Sequence, residues 1–227
     1  MKPRLRGMLE AGMLPGAVAA LAVALLAGVQ WATRERIAAT SWQTQAQQQA
    51  LDLVLPADRY DNRPLTDAIT VQAPRWLGDD KPHPVQRARR KGRDVALILE
   101  TVAPDGYRGP IQLLVAVNRD GSVSGVRVTA HDETPDLGGN IDADKSDWIT
   151  RFSGRSLGNT PLERWAVRRD GGDFDQFAGA TVTPRAVIEA VSRTLQLTGT
   201  HGEQMYAAPA GARLIFDDAP ERTAHKR

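Results

Sequence analysis

The sequence predicts an α+β domain behind a single N-terminal membrane-spanning helix, and three observations predict it. An uncharged run at residues 11–29 precedes a charge-rich body, β-rich runs at 95–104 and 111–131 carry turn chemistry, and PRAVIEAVSRTLQL at 184–197 is apolar at helical spacing. The 227 residues leave room for one ordinary domain plus extras, and 41% apolar content is enough for a packed core. Lysine and arginine total 29 against 27 acidic residues. That near balance argues against a nucleic-acid binder, which shows a concentrated basic face. Cysteine is absent. Cys-held iron–sulfur clusters, thiol redox chemistry and disulfide staples are therefore excluded, and any electron-handling role needs an organic or haem cofactor.

The N-terminal run is just long enough to span. Nineteen residues at about 1.5 Å each approach the roughly 30 Å of a bilayer core. Lys2, Arg4 and Arg6, offset by Glu10, precede it; Arg34 and Arg36, offset by Glu35, follow it. The positive-inside rule then favours a cytoplasmic N-terminus and an exported body, and Trp31 suits the membrane interface. A cleaved signal peptide is the alternative, with a small-x-small site near Ala27 to Val29. The apolar run exceeds the roughly 7–15 residues of such a leader's core, which favours the retained anchor. Either reading exports the body.

Residues 1–33 are thus expected to form the cytoplasmic N-terminus and anchor, and 34–55, rich in alanine and glutamine, a helical stalk ended by Pro56. The body spans 56–198, and 199–227 reads as a loosely structured tail. RARRKGR at 87–93 reads as a solvated turn between strands, with a docking surface for anionic lipid or an acidic partner as the alternative. Asp120–Gly121 between apolar runs predicts a β-hairpin. The segment RWAVRRDGGDFDQFAGATVT reads as a strand and turn feeding a helix. In that helix Ala186, Val187, Ala190, Val191, Thr194 and Leu195 share one face.

Two segments stand out chemically, HDETPDLGGNI at 131–141 and GGDFDQFAGATVTP at 171–184. Gly179 and Ala180 leave little side-chain bulk beside Thr181, so a large planar group or a modifying enzyme can approach the backbone. Thr183 suits an N-cap, with Pro184 at the first helical position. Thr181 then lies just ahead of a helix N-terminus, where unpaired amides and the helix dipole favour a phosphate. By spacing alone the segment reads as an ordinary capped helix, with the phosphoester site as the alternative. His131, Asp132 and Glu133 are consecutive and rarely converge on one ion, so no metal site is assigned. No general acid–base pair or nucleophilic triad is apparent, and no catalytic residue is assigned. A G-x-G-x-x-G dinucleotide fingerprint is also absent.

The segment DFDQFAGATVTP resembles the flavinylation motif of the G subunit of the Rnf-type (or Rsx-type) ion-translocating electron-transport complex. The related C subunit of the sodium-translocating NADH:quinone reductase has a similar motif. VLPADRYDN at 54–62, APDGYRGPIQLLV at 103–115, VRVTAHDETPDLG at 126–138 and SDWITRF at 146–152 resemble the Rnf-type G subunit in the same order. The resemblance runs from the anchor to about Leu197. It implies an extracytoplasmic FMN-binding domain whose FMN is joined through its phosphate to the threonine after Gly-Ala, here Thr181, by a flavin transferase using FAD. Thr183 is the rival acceptor. Asp173 and Asp175 match acidic motif positions that the transferase is expected to read. Glu133, Thr134 and Leu137 match the loop that lines the isoalloxazine. Asp136 stands where the family commonly has glycine, and Asn140 where it often has lysine. The Asp136 exchange can strain a left-handed backbone and alter the flavin's potential or shift the loop.

What the resemblance implies is an electron-carrier subunit without turnover of its own, held in a bacterial inner membrane with its domain in the periplasm. Its implied partners are integral-membrane and iron–sulfur subunits, with the flavin transferase during maturation. A flavin-free scaffold within the same kind of complex is the alternative.

Overall fold

The structure, a computed structural model, describes residues 45–218. The expected anchor at 11–29 and residues 34–44 of the expected stalk lie outside the described residues. The chain divides into two units, Met1–Gln48 and Gln49–Arg227. Of the first, only 45–48 are described, as the start of helix α1 (45–54). Among the described residues no helix is long and apolar enough to cross a membrane.

The second unit is built on a six-stranded sheet. Strands β1 (Ala68–Gln72), β2 (His83–Arg90), β3 (Arg93–Ala103), β4 (Ile111–Asn118) and β5 (Val123–Ala130) form an antiparallel meander. The short strand β6 (Arg213–Ile215) joins β1 in parallel, giving the order β5-β4-β3-β2-β1-β6. A one-turn helix, α2 (Pro74–Leu77), follows β1. The Asp-Gly signal marks the β4–β5 hairpin as expected: Gly121 takes φ +80°, and Asp120 Oδ1 accepts bonds from the Ser122 amide and hydroxyl. Those two bonds hold the Asp120 carboxyl below its ordinary value.

Period-two alternation splits the central strands between two cores. Leu97 and Leu99 of β3, with Leu113, Val115 and Val117 of β4, join the core shared with helix α3 (Val182–Ala207). Ala96, Ile98, Leu114 and Ala116 join Leu51 and Val54 of α1 and Leu55 just after it. A leucine or valine side chain contributes about 1.5–3 kcal/mol when fully buried. Gly125 of β5 lets α1 come close, since a Cβ there would lie 2.6 Å from the Val54 carbonyl oxygen. The six α3 residues assigned to one face are all buried.

Three expectations about the strands, the turn and the tail are corrected by the structure. Arginines 87 and 89 are not in a solvated turn but in β2, and Arg87 is only 2% exposed. Its guanidinium donates to the carbonyls of Met205, Tyr206 and Ala208 and pairs with Asp67, while Arg89 donates to Tyr206 O at 3.0 Å. Those carbonyls lie at the C-terminal end of α3, whose orphaned acceptors and negative dipole end call for cations. Only Lys91 and Gly92 form the turn itself, both with positive φ. The described part of the expected tail, 199–218, is not loose either: α3 runs on to Ala207, and Met205, Tyr206 and Phe216 are buried in the main core, while 219–227 lie outside the described residues. Finally, 165–180 holds no regular strand, only the isolated bridges Val167–Phe174 and Phe177–Ala180.

The end of the described chain is clasped to α3. Asp218 lies 2.9 Å from His201 Nε2 and accepts from Trp76 Nε1 at 3.3 Å, and the His201 ring stacks on Phe216 at 4.0 Å. The bond from His201 holds the Asp218 carboxyl below its ordinary value of 3.8. A depressed aspartate contributes stability above its unfolded pKa and loses it as pH falls through the folded one. Thermal unfolding at stepped pH below 3.8 is thus expected to show a small loss in the wild type that Asp218→Asn flattens.

Candidate functional site

The site starts at the loop leaving β5. The Glu133 amide donates to His131 Nδ1 at 2.9 Å, and His131 Nε2 lies 3.0 Å from Asp142 Oδ2, so the imidazole braces the loop. Thr134 O then accepts from the amides of Leu137 at 3.2 Å and Gly139 at 2.9 Å, closing a turn over Pro135 and Asp136. Asp136 sits there with φ +60°. Proline second and a left-handed residue third suit a type II turn, which favours glycine in the third place. The loop therefore keeps the left-handed backbone with aspartate in it, a residue whose short polar side chain tolerates that conformation better than most but less well than glycine. Asn140 Nδ2 reaches back to Asp136 O at 3.3 Å.

Glu133 is the hinge of the arrangement. It is 5% exposed, and both carboxylate oxygens are engaged. Oε1 accepts from the Arg108 amide at 2.9 Å, and Oε2 accepts from the Thr183 hydroxyl at 2.5 Å. One side chain thereby ties together the loop before β4, the loop after β5 and the first turn of α3. Gly138 packs against the pair, and a Cβ there would lie 2.4 Å from Glu133 Oε2 and 2.7 Å from Thr183 Oγ1.

Thr183 consequently does not cap the helix. The helix begins at Val182, and Thr181 holds the N-cap position without a side-chain capping bond. Pro184 falls at the third helical position, where its missing N–H is still one the helix does not need. The threonine expected to cap is drawn inward by a carboxylate fifty positions away.

Ahead of Thr181, Ala178 and Gly179 make a tight turn closed by the Ala180 amide on Phe177 O at 3.1 Å, with Gly179 at φ +76°. An aromatic core positions this turn in place of a sheet. Phe152 stacks on Phe174 at 4.7 Å, and Trp148 contacts Phe152 at 5.4 Å and Phe177 at 5.3 Å. Such pairs add about 0.5–1.5 kcal/mol beyond burial. Trp148 and Phe152 are buried there, on a 3₁₀ turn Trp148–Phe152.

These pieces enclose a cavity of about 150 Å³ lined by Glu133, Thr134, Leu137, Gly179, Ala180, Thr181 and Thr183, all singled out in the sequence, with Tyr107, Gly138 and Val182. Asp173 and Asp175 stand outside its lining. Asp175 is bound by Arg151 Nη1 at 2.8 Å and Arg168 Nε at 2.9 Å, and its carbonyl accepts from Trp148 Nε1 at 2.7 Å. Asp173 pairs with Arg164, and Arg155 lies 3.5 Å away. Both carboxylates therefore brace the segment before the turn.

Residues 106–196, a stretch that holds every residue of this cavity, match the family described as FMN-binding domain. The chain is also similar to the G subunit of the ion-translocating oxidoreductase complex of Pseudomonas aeruginosa, 47% identical over 207 residues, covering 91% of this chain and 96% of the relative. The subunits of the same name from Shewanella loihica and Escherichia coli O157:H7 are 41% and 46% identical, covering 93% and 85% of this chain and 99% and 91% of theirs. The chain belongs to the G-subunit family of ion-translocating oxidoreductase complexes.

For a member of this G-subunit family the cavity has features that suit FMN. The Thr181 hydroxyl makes no capping bond at a helix N-terminus, where first-turn amides and the dipole favour a phosphate. Among the described residues, nothing but Leu137 Cδ2, at 3.7 Å, would meet a Cβ at Gly179. Leu137, Val182 and Tyr107 supply apolar surface for a planar ring. Sequence reasoning missed Tyr107, Val182 and Gly138 as parts of this G-subunit cavity. The Leu-Gly-Gly run offered a signal for Gly138. Tyr107 lay inside a segment that carries the resemblance, but nothing in its spacing pointed at α3.

Proposed function

We propose that Thr181 bears FMN through a phosphoester and that the chain relays electrons as a non-autonomous part of a membrane-bound ion-translocating oxidoreductase. The observation that carries this reading is the Thr181 hydroxyl, without a capping bond at the N-terminus of α3, on the wall of the cavity that Glu133, Thr134 and Leu137 share. The attachment exchanges the phosphoanhydride bond of FAD for a phosphoester bond to threonine. A bond forms from Thr181 Oγ to the FMN phosphorus of FAD as the pyrophosphate bond breaks. AMP departs, and the hydroxyl proton passes to a base of the flavin transferase. Asp175, and Asp173 beside it, present the acceptor segment to that enzyme. Thr183 is committed to Glu133, which favours Thr181 as acceptor.

Bound FMN supplies one- and two-electron redox chemistry, and the protein's part is position, potential and exclusion of water. Here α3 offers its amides to the phosphate, Leu137 and Val182 cover apolar surface, and Glu133 holds the three loops in register. At about 150 Å³ the cavity is smaller than the roughly 300–1,000 Å³ of pockets that enclose a drug-sized ligand. A flavin held here is left partly outside, where a partner subunit reaches it. The complex named in the relatives supports partner subunits, which we read as integral-membrane and iron–sulfur proteins. The uncharged run 11–29 supports a single-pass anchor in the bacterial inner membrane, with the domain periplasmic.

The test is flavin fluorescence on a denaturing gel, using full-length chain co-expressed with a flavin transferase in an exporting host. Fluorescence that survives denaturation is expected. Its absence, while a control acceptor is labelled in the same cells, would sink the carrier reading in favour of a flavin-free scaffold.

A further inference from the structure

Five large apolar side chains are prominently exposed among the described residues, and three of them, Tyr107, Leu137 and Val182, line this cavity. Leu137 and Val182 are each 42% exposed, and Tyr107 is 71% exposed. Tyr107 is the informative case because its backbone is fixed while its ring is not packed. The Arg108 amide is held by Glu133 Oε1 at 2.9 Å, and a Cβ on Gly106 would lie 2.2 Å from Gly109 O, so the loop is folded tightly upon itself. A packed aromatic side chain buries roughly 150–250 Å². This one is displayed beside a concave, partly apolar cavity too small to enclose a flavin.

We propose that Tyr107 is a contact residue for the isoalloxazine ring, its phenol forming the outer wall that the cavity itself lacks. The proposal rests on the reading that this cavity carries flavin. Glu133 acts as a positioning residue for it, since the carboxylate that holds Thr183 beside the attachment point also holds the loop that presents the phenol. The concave setting favours a small planar ligand over a protein surface, which would find a flat or convex patch. Aromatic rings in offset or edge-on contact are favoured by their quadrupoles, and a phenol in contact with a flavin quenches its emission by electron donation.

The experiment compares wild type, Tyr107→Phe and Tyr107→Ala, each a full-length chain matured with the transferase. Emission is read per covalently bound flavin, with bound flavin counted by absorbance after denaturation. Severalfold brighter emission is expected from Tyr107→Ala, with easier quenching by iodide, and an intermediate yield from Tyr107→Phe. At 71% exposure the substitutions leave the fold intact. Equal emission from wild type and Tyr107→Ala at equal loading would overturn the proposal and leave the phenol as a partner contact. A wild type without bound flavin would overturn both this proposal and the reading beneath it.

Discussion

Thr181→Ala is expected to abolish covalent flavin completely while the domain stays folded, whereas Thr183→Val is expected to keep the flavin and lose stability. The two threonines are two residues apart, but their surroundings differ. Thr181 is half-buried and its hydroxyl makes no capping bond, so its loss falls within the roughly 0.5 kcal/mol of an ordinary surface change. Thr183 is fully buried, and valine removes the donor to Glu133 Oε2 without changing the side chain's shape. A buried acceptor left unsatisfied costs about 1–3 kcal/mol, and more when it is charged. For a unit of this size a loss of about 2 kcal/mol lowers the melting temperature by about 4–8 °C. Thermal unfolding and intact mass of the full chain in detergent separate the outcomes. Flavin retained by Thr181→Ala and lost by Thr183→Val would exchange the two roles.

Gly138→Ala is expected to be the most damaging single-methyl change at the site. Gly138 has no left-handed backbone to protect, so the argument is steric alone. The new Cβ would lie 2.4 Å from Glu133 Oε2, 2.7 Å from Thr183 Oγ1 and 3.1 Å from Glu133 Cβ. The carboxylate cannot swing aside freely, because its other oxygen holds the Arg108 amide. Either the Glu133–Thr183 bond breaks or the 134–138 turn shifts. Overpacking of this kind costs about 1–3 kcal/mol, and a broken buried bond adds a similar amount. Gly139→Ala, whose Cβ meets Thr134 O at 3.3 Å, is the milder control. A steep loss of melting temperature and of flavin loading is expected for the first variant only. Equal effects at 138 and 139 would contradict the placing of Glu133.

The parts of the fold that local rules govern were legible in the sequence. The Asp120–Gly121 hairpin follows from turn chemistry, and the buried face from Ala186 to Leu195 follows from helical spacing. The left-handed backbone at Asp136 was expected from the resemblance, since the family commonly has glycine there, and not from a local rule. What escaped was settled by distant partners. Thr183 has the composition of a cap, but Glu133 takes its hydroxyl. Arginines 87 and 89 look like a solvated cluster, but the end of α3 and Asp67 lie against them. Gly199 and Gly202 lower helix propensity enough to suggest a stop near Thr198. Met205 and Tyr206 carry the helix past them by packing into the core. The cavity was legible as two separate segments, and Tyr107 was not, because the bond that brings its loop there spans twenty-five positions.

The most direct measurement is peptide mass spectrometry, with site-resolving fragmentation, of the full-length wild-type chain matured with a flavin transferase. Cleavage after arginine releases residues 170–185 as one peptide holding both Thr181 and Thr183, so fragment ions that separate the two are required. An FMN-sized addition that stays with fragments containing Thr181 and is absent from those containing only Thr183 is the predicted result. An unmodified 170–185 peptide, from cells in which a control acceptor is fully flavinylated, would contradict a covalent carrier.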